Sequence, residues 1–169
     1  MLKKLKIKNC FEINFSKKKD ARGYFQRIVN FNTIFKNYKI SQISLSFNKK
    51  KGTFRGFHFQ KKPFEENKLV FCATGSIIDV VIDMRKNSYT YMKKITKKIS
   101  SKKSNAIFIP RGCAHGFVTT EKNTKVIYMM DKPYSAKHSS GFNLKSKLCG
   151  SIKNIKIISK KDKKLKKFN

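Results

Sequence analysis

Between residues 40 and 130 apolar and polar positions alternate in short runs. In Ile40 to Phe47, Ile43, Leu45 and Phe47 stand against Gln42, Ser44 and Ser46. That period of two is the signature of a half-buried strand. Asn48-Lys49-Lys50-Lys51-Gly52 then turns the chain into Gly52 to Gln60, where Phe57 and Phe59 are interleaved with Arg55, His58 and Gln60. Lys68 to Gly75 and Ser76 to Asp83 are two apolar runs meeting at Gly-Ser, which predicts a hairpin. Tyr89 to Ile99 alternates again, Ala106 to Pro110 runs into Arg111 to Val118, and Lys125 to Met130 is a further strand. At the N-terminus, Leu5, Ile7, Phe11, Ile13 and Phe15 predict one edge strand over residues 1–15, followed by a charged turn at Ser16 to Asp20. Phe31 to Tyr38 is the candidate for a short helix. From Asp131 onward, Pro133, Gly141 and polar residues predict loops and a lysine-rich tail. Many short strands with little helix point to an all-β sandwich or barrel.

Composition narrows this picture. A chain of 169 residues is long enough for one domain with its own core, read here as residues 1–169. The hydrophobic share of 39% and aromatic share of 12% mark a globular chain, not a disordered one. No apolar run reaches membrane-spanning length, and no signal core follows the basic start, Met1 to Lys6. Cys10, Cys72, Cys113 and Cys149 are scattered without a Cys-x-x-Cys pair, which predicts neither a zinc site nor a disulfide framework and fits a reduced, cytoplasmic setting.

The net charge of +32 raises the question of nucleic acid. The charge is nearly all lysine, spread along the whole chain and lacking a recognition motif, so no specific nucleic-acid partner is expected. Arginine is confined to Arg22, Arg27, Arg55, Arg85 and Arg111. Where lysine is the default cation, a retained arginine suggests a task that needs its planar fork.

Candidate chemistry gathers on the strand Gly52 to Gln60. Arg55 can grip a phosphate or carboxylate, and His58 can move a proton near neutral pH. With Pro110-Arg111-Gly112-Cys113-Ala114-His115-Gly116-Phe117 further on, and with Asp20-Ala21-Arg22-Gly23-Tyr24-Phe25, Lys68 to Asp83, Arg85, Tyr128, Tyr134 and Ser159-Lys160-Lys161-Asp162, the chain resembles the dTDP-4-dehydrorhamnose 3,5-epimerase family. The motifs keep the family's order over nearly the whole chain. The resemblance implies a cupin-type double-stranded β-helix, or jelly roll, with short peripheral helical segments. It implies an epimerase that inverts C3, C5 or both of a nucleotide-linked 4-keto-6-deoxy sugar, without cofactor or metal, as a homodimer.

By the same resemblance His58 is the base, Asp162 orients and charges it, Tyr128 is the acid on the opposite face, and Lys68 stabilises the enolate oxygen. Arg22, Gln42, Arg55, His115, Tyr134 and Lys161 match substrate-holding positions, with Tyr134 stacking on the nucleotide base. Each has a plain structural alternative: Asp162 solvated in a lysine tail, Lys68 one surface lysine among many, Tyr128 a core residue, His115 a packed loop histidine. A non-catalytic cupin that binds a sugar nucleotide or a polyanion stays open beside the enzyme. A cupin metal site needs a His-x-His pair, which Phe59 and Gln60 break after His58. The chain departs from the family at Arg27, where a glutamate is usual, at Ile43-Ser44, at Ser139, and around Gly150 to Ile152, where Trp-Pro is missing. These departures leave the nucleotide, the sugar and the number of inverted carbons open.

Overall fold

The computed structural model describes residues 1–30 and 38–168. The helix expected over Phe31 to Tyr38 lies, except for Tyr38, outside the described residues. Two six-stranded sheets face each other. One runs β1 (Leu2–Lys4), β2 (Phe11–Asn14), β10 (Asn105–Ile109), β7 (Lys68–Thr74), β12 (Thr124–Met130), β5 (Gln42–Asn48). The other runs β13 (Ser139–Gly141), β6 (Thr53–Gln60), β11 (Cys113–Thr119), β8 (Ser76–Asp83), β9 (Lys94–Ser100), with β14 (Ile157–Ile158) parallel to β6. A separate hairpin pairs β3 (Lys17–Asp20) with β4 (Gly23–Gln26). Among the described residues one short helix, α1 (Lys160–Lys164), and one 3-10 turn, Lys147–Cys149, stand at the edge. This is the jelly-roll sandwich that the resemblance implied.

From β5 to β8 successive strands switch sheets, so the expected hairpin of β7 and β8 does not form. β7 pairs with β10 and β12, and β8 with β9 and β11. Gly75, at φ +74, is the corner where the chain leaves one sheet for the other. The N-terminal stretch is likewise two strands, not one, folded at Asn9 (φ +61) into the β1–β2 pair. The expected charged turn at Ser16 to Asp20 is mostly strand β3. Pairing uses the backbone, which lysines supply as well as any residue, and the Lys17 ammonium lies 4.3 Å over the Tyr24 ring. Tyr89 to Met92 is turn, leaving Lys94 to Ile99 of that alternating run in β9.

The interior between the sheets is filled at one end by Ile7, Ile77, Val81, Ile99, Ile107 and Val126, among others. A second cluster covers the outer face of the β6 sheet. There Phe54, Phe57, Val80 and Ile82 pack under Phe142, Leu144, Ile155 and Phe168 from the C-terminal segment. That segment is therefore a docked layer of the fold, not a free tail. At the other end of the interior the inward positions turn polar, and a cavity opens.

Buried Asp83 ties this end of β8 to the rest. It accepts from Arg85 Nε at 2.8 Å and Nη2 at 2.8 Å, from Ser88 Oγ at 2.8 Å and from Thr90 Oγ1 at 2.5 Å. Burial alone would raise its pKa, but these donors outweigh burial and hold it down at about 2. A depressed carboxylate stabilises the fold above its unfolded pKa near 4, and the contribution is lost as pH falls toward 2. A shift of that size is worth about 2 kcal/mol. The melting temperature is expected to fall steadily between pH 4 and pH 2.5, and Asp83→Asn should be less stable at pH 7 and flatter over that acid range. An unchanged acid slope in Asp83→Asn would remove Asp83 from this account.

Candidate active site

The cavity has a volume of about 580 Å³ and is bounded by both sheets and α1. The β6 sheet brings Arg55, His58, Gln60 and His115 to it, the β5 sheet brings Gln42, Ser44, Ser46, Lys68, Tyr128 and Met130, and Ser159, Lys161 and Asp162 come from the edge.

Strict alternation would send Arg55 and His58, three residues apart, to opposite faces of β6. They share the cavity because β6 and β11 slip register between the His115–His58 and Phe117–Arg55 pairs. Gly56 and Gly116 allow the slip. A Cβ on Gly56 would meet the Gly116 backbone at 2.5 Å, and Gly56 sits at φ +136, where side chains are strained.

His58 Nε2 lies 2.8 Å from Asp162 Oδ1. The second carboxylate oxygen accepts from the Gly56 N–H at 3.4 Å. Burial raises the Asp162 pKa, but the His58 hydrogen bond and charge, the Gly56 amide and Ser159 outweigh it, so the group sits below the usual carboxylate range. An ionised carboxylate only accepts, so His58 Nε2 carries the proton and donates it to Asp162. The free lone pair is then on Nδ1, on a ring 41% exposed in the cavity wall, while Asp162 is 6% exposed.

Ser159 caps α1 by accepting from the Asp162 N–H at 3.0 Å. β14 pins the approach to α1 against Thr53 and Phe54. Asp162 is thus held by the docked C-terminal layer, and the solvated-tail alternative does not describe it.

Tyr128 faces this dyad from the other sheet, half-buried, 6.2 Å from the His115 ring centroid and 6.5 Å from that of Phe117. Burial raises its pKa most, Asp79 adds to that, and Arg55 and Ser46 offset only part. Its hydroxyl therefore keeps its proton at neutral pH. His115 Nε2 is 2.6 Å from Asp79 Oδ2, both buried. Arg55 Nε donates to Asn48 Oδ1 at 2.8 Å, which aims the guanidinium along the cavity wall. Lys68 Nζ lies 2.7 Å from Glu66 Oε1. Gln42 Oε1 accepts from the Tyr134 N–H at 2.8 Å and so fixes the loop that carries the exposed Tyr134 ring at the rim. Lys161 lines the cavity from α1.

Nine of the ten candidate residues therefore meet at one cavity, and Arg22 does not. It sits on the β3–β4 hairpin, its side chain 90% exposed and paired with Asp20 at 2.7 Å. Residues given no role from the sequence also line the cavity, among them Glu66, Ser46, Phe117, Met130 and Ser159. For Glu66 a signal existed: an acid two residues before Lys68 falls on the same side of an extended chain, and the chain has only nine acids. Among the described residues no three His, Cys, Asp or Glu side chains converge on a point where they could share a metal ion, and no helix is long and apolar enough to cross a membrane.

The β5 strand is inverted relative to the usual half-buried pattern. Gln42, Ser44 and Ser46 face inward, while Ile43, Leu45 and Phe47 are exposed at the sheet edge, Leu45 also bordering the cavity.

Residues 4–169 match the family model described as dTDP-4-dehydrorhamnose 3,5-epimerase. The curated dTDP-4-dehydrorhamnose 3,5-epimerase of Sinorhizobium fredii is 38% identical over 125 residues, covering 72% of this chain and 64% of that protein. The crystal structure of the Bacillus anthracis enzyme of the same name, with TDP and PPi bound, superposes with a TM-score of 0.94 at 30% identity over 99% of each chain. The Sulfolobus tokodaii enzyme superposes with a TM-score of 0.88 at 30% identity, over 99% of this chain and 94% of that one. The chain belongs to the dTDP-4-dehydrorhamnose 3,5-epimerase family.

Proposed function

We propose that the protein is an epimerase acting on a nucleotide-linked 4-keto-6-deoxy sugar of the dTDP-4-dehydro-6-deoxyglucose type, inverting C3, C5 or both. The observation that carries this reading is a proton acceptor and a proton donor on facing sheets of one cavity, His58 with Asp162 on one side and Tyr128 on the other. A sugar-nucleotide binder without chemistry has no use for that pair.

The hydrogens at C3 and C5 of such a sugar are α to the C4 carbonyl. His58 Nδ1 takes one of them, and the electron pair of the broken C–H bond moves through the new C=C to O4. The imidazolium is stabilised by the Asp162 carboxylate, as in a catalytic triad. Lys68 donates a hydrogen bond to the enolate oxygen. Tyr128 then delivers its proton to the same carbon from the opposite face, the carbonyl re-forms, and the carbon is inverted. Proton exchange with solvent restores His58 and Tyr128. No electrons leave the sugar. Arg55 and Lys161 answer the diphosphate, His115, held by Asp79, and Gln42 position the sugar, and Tyr134 stacks on the base. The TDP and PPi of the Bacillus anthracis relative support the nucleotide end of this assignment.

The enzyme works as a homodimer in this reading. The exposed outer face of β5 and the hairpin with Tyr24 and Phe25 exposed are apolar surfaces suited to a second copy. Arg22, remote from its own cavity, would then serve the partner's substrate. Light scattering should give twice the chain mass, and Ile43→Lys should shift the population toward monomer. A wild-type protein that is monomeric at micromolar concentration would refute the dimer.

Proton NMR in D2O with a panel of 4-keto-6-deoxy nucleotide sugars tests the activity. Deuterium entering C3 or C5 with new epimer signals is expected. Tight binding of a sugar nucleotide with no exchange at either carbon would instead favour the non-catalytic binder.

A further inference from the structure

Glu66 is a buried acid in the wall of a cavity that, in the reading above, receives an anionic substrate. A carboxylate there repels diphosphate unless it is engaged elsewhere. It is engaged at both oxygens: Oε1 lies 2.7 Å from Lys68 Nζ, and Oε2 accepts from Gln60 Nε2 at 3.0 Å. Gln60 is itself immobilised. Its two Nε2 hydrogens are shared between Glu66 and the carbonyls of Phe64 at 2.9 Å and Pro133 at 3.1 Å, and its Oε1 accepts from the Ser135 N–H at 2.6 Å. A chain of contacts thus runs from the rigid strand β6 through Gln60 and Glu66 to the lysine ammonium. Lysine carries its charge on a flexible stem with four rotatable bonds. The contact with Glu66 removes that freedom.

We propose that Glu66 is the positioning residue for Lys68, with Gln60 as its post: it fixes where the ammonium points. This rests on the enolate reading, in which Lys68 meets O4. The pair is close to neutral overall, so it offers the substrate little long-range attraction. What it offers is aimed N–H donors at an oxygen that becomes negative only during the reaction. Losing Glu66 should therefore reduce turnover more than affinity.

The test compares Glu66→Gln, Lys68→Met and the double variant in the deuterium-exchange assay. Glu66→Gln keeps the shape and removes the charge. Its kcat is expected to fall roughly ten- to a hundred-fold with KM within about threefold, and the double variant should be no slower than Lys68→Met alone. Turnover of Glu66→Gln within twofold of wild type overturns the proposal. So does a double variant slower than Lys68→Met by the full Glu66→Gln factor, which would mean that Glu66 acts through the fold. A second arm needs no sugar and stands even if the epimerase reading fails. Trace acetylation of Lys68, referenced to exposed lysines by peptide mass spectrometry, should rise about tenfold or more in Glu66→Gln, because the amine is no longer held against a carboxylate in the cavity wall. The other groups facing the cavity, Arg55, His58, His115, Tyr128, Lys161 and Asp162, are the same in both proteins. An unchanged Lys68 rate overturns the proposal.

Discussion

His58→Ala is expected to lower deuterium incorporation at C3 and C5 by roughly a hundred- to ten-thousand-fold, the span that a positioned general base contributes. The tautomer of His58 makes it the base. Asp162 is ionised, takes the Nε2 proton as a hydrogen bond, and leaves Nδ1 as the acceptor in the cavity. The cavity's other imidazole, His115, is likewise paired with a carboxylate, Asp79 at 2.6 Å, but its side chain is 6% exposed where that of His58 is 41% exposed, so His58 presents the accessible lone pair. His58→Ala also strips buried Asp162 of its partner, which costs stability in its own right. His58→Asn controls for that, because an amide can still donate to Asp162 while having no basic lone pair. Both variants should lose exchange, and the asparagine variant should melt closer to wild type. Wild-type exchange in either would move the base elsewhere.

Much of the fold follows from alternation, and the failures share one cause. A period of two says that a strand has two faces, but not which face is inside. In β5 the polar face is inside, because the interior at that end is a cavity, and the apolar face is left at the sheet edge. A Gly-Ser corner marks a reversal of the chain without saying whether the next strand lies beside the last or in the opposing sheet. For β7 and β8 that is decided by pairing with β10, β12, β11 and β9, distant in sequence. The slip that unites Arg55 with His58 is equally non-local, since it needs Gly56 and Gly116 in contact across two strands.

The site was legible chiefly by resemblance. Asp162 among lysines carries no local signal of burial, and its place depends on the C-terminal layer docking on β6. Acid scarcity was the overlooked clue. Seven of the nine acids hold a specific cation or imidazole, and three of those pairs, at His58, Lys68 and His115, stand in the cavity wall. In a chain of +32, an acid that persists has a named partner more often than not.

Tyr128→Phe should separate two events that His58→Ala abolishes together. The substitution removes one hydroxyl and leaves the ring against His115 and Phe117, so the fold and the His58–Asp162 dyad stay intact. The enolate still forms. A proton taken by His58 exchanges with solvent and returns from the same side, so deuterium continues to enter C3 or C5. Delivery from the opposite face depends on the hydroxyl that burial keeps protonated, and net inversion is expected to fall by about a hundred-fold or more. Exchange should stay within roughly tenfold of wild type, because general acid catalysis of the second step does not enter the first. The measurement is deuterium content against epimer yield in one NMR time course. Equal loss of both signals would place Tyr128 in proton removal or substrate binding, and inversion at the wild-type rate would show that another donor reaches the far face of the sugar.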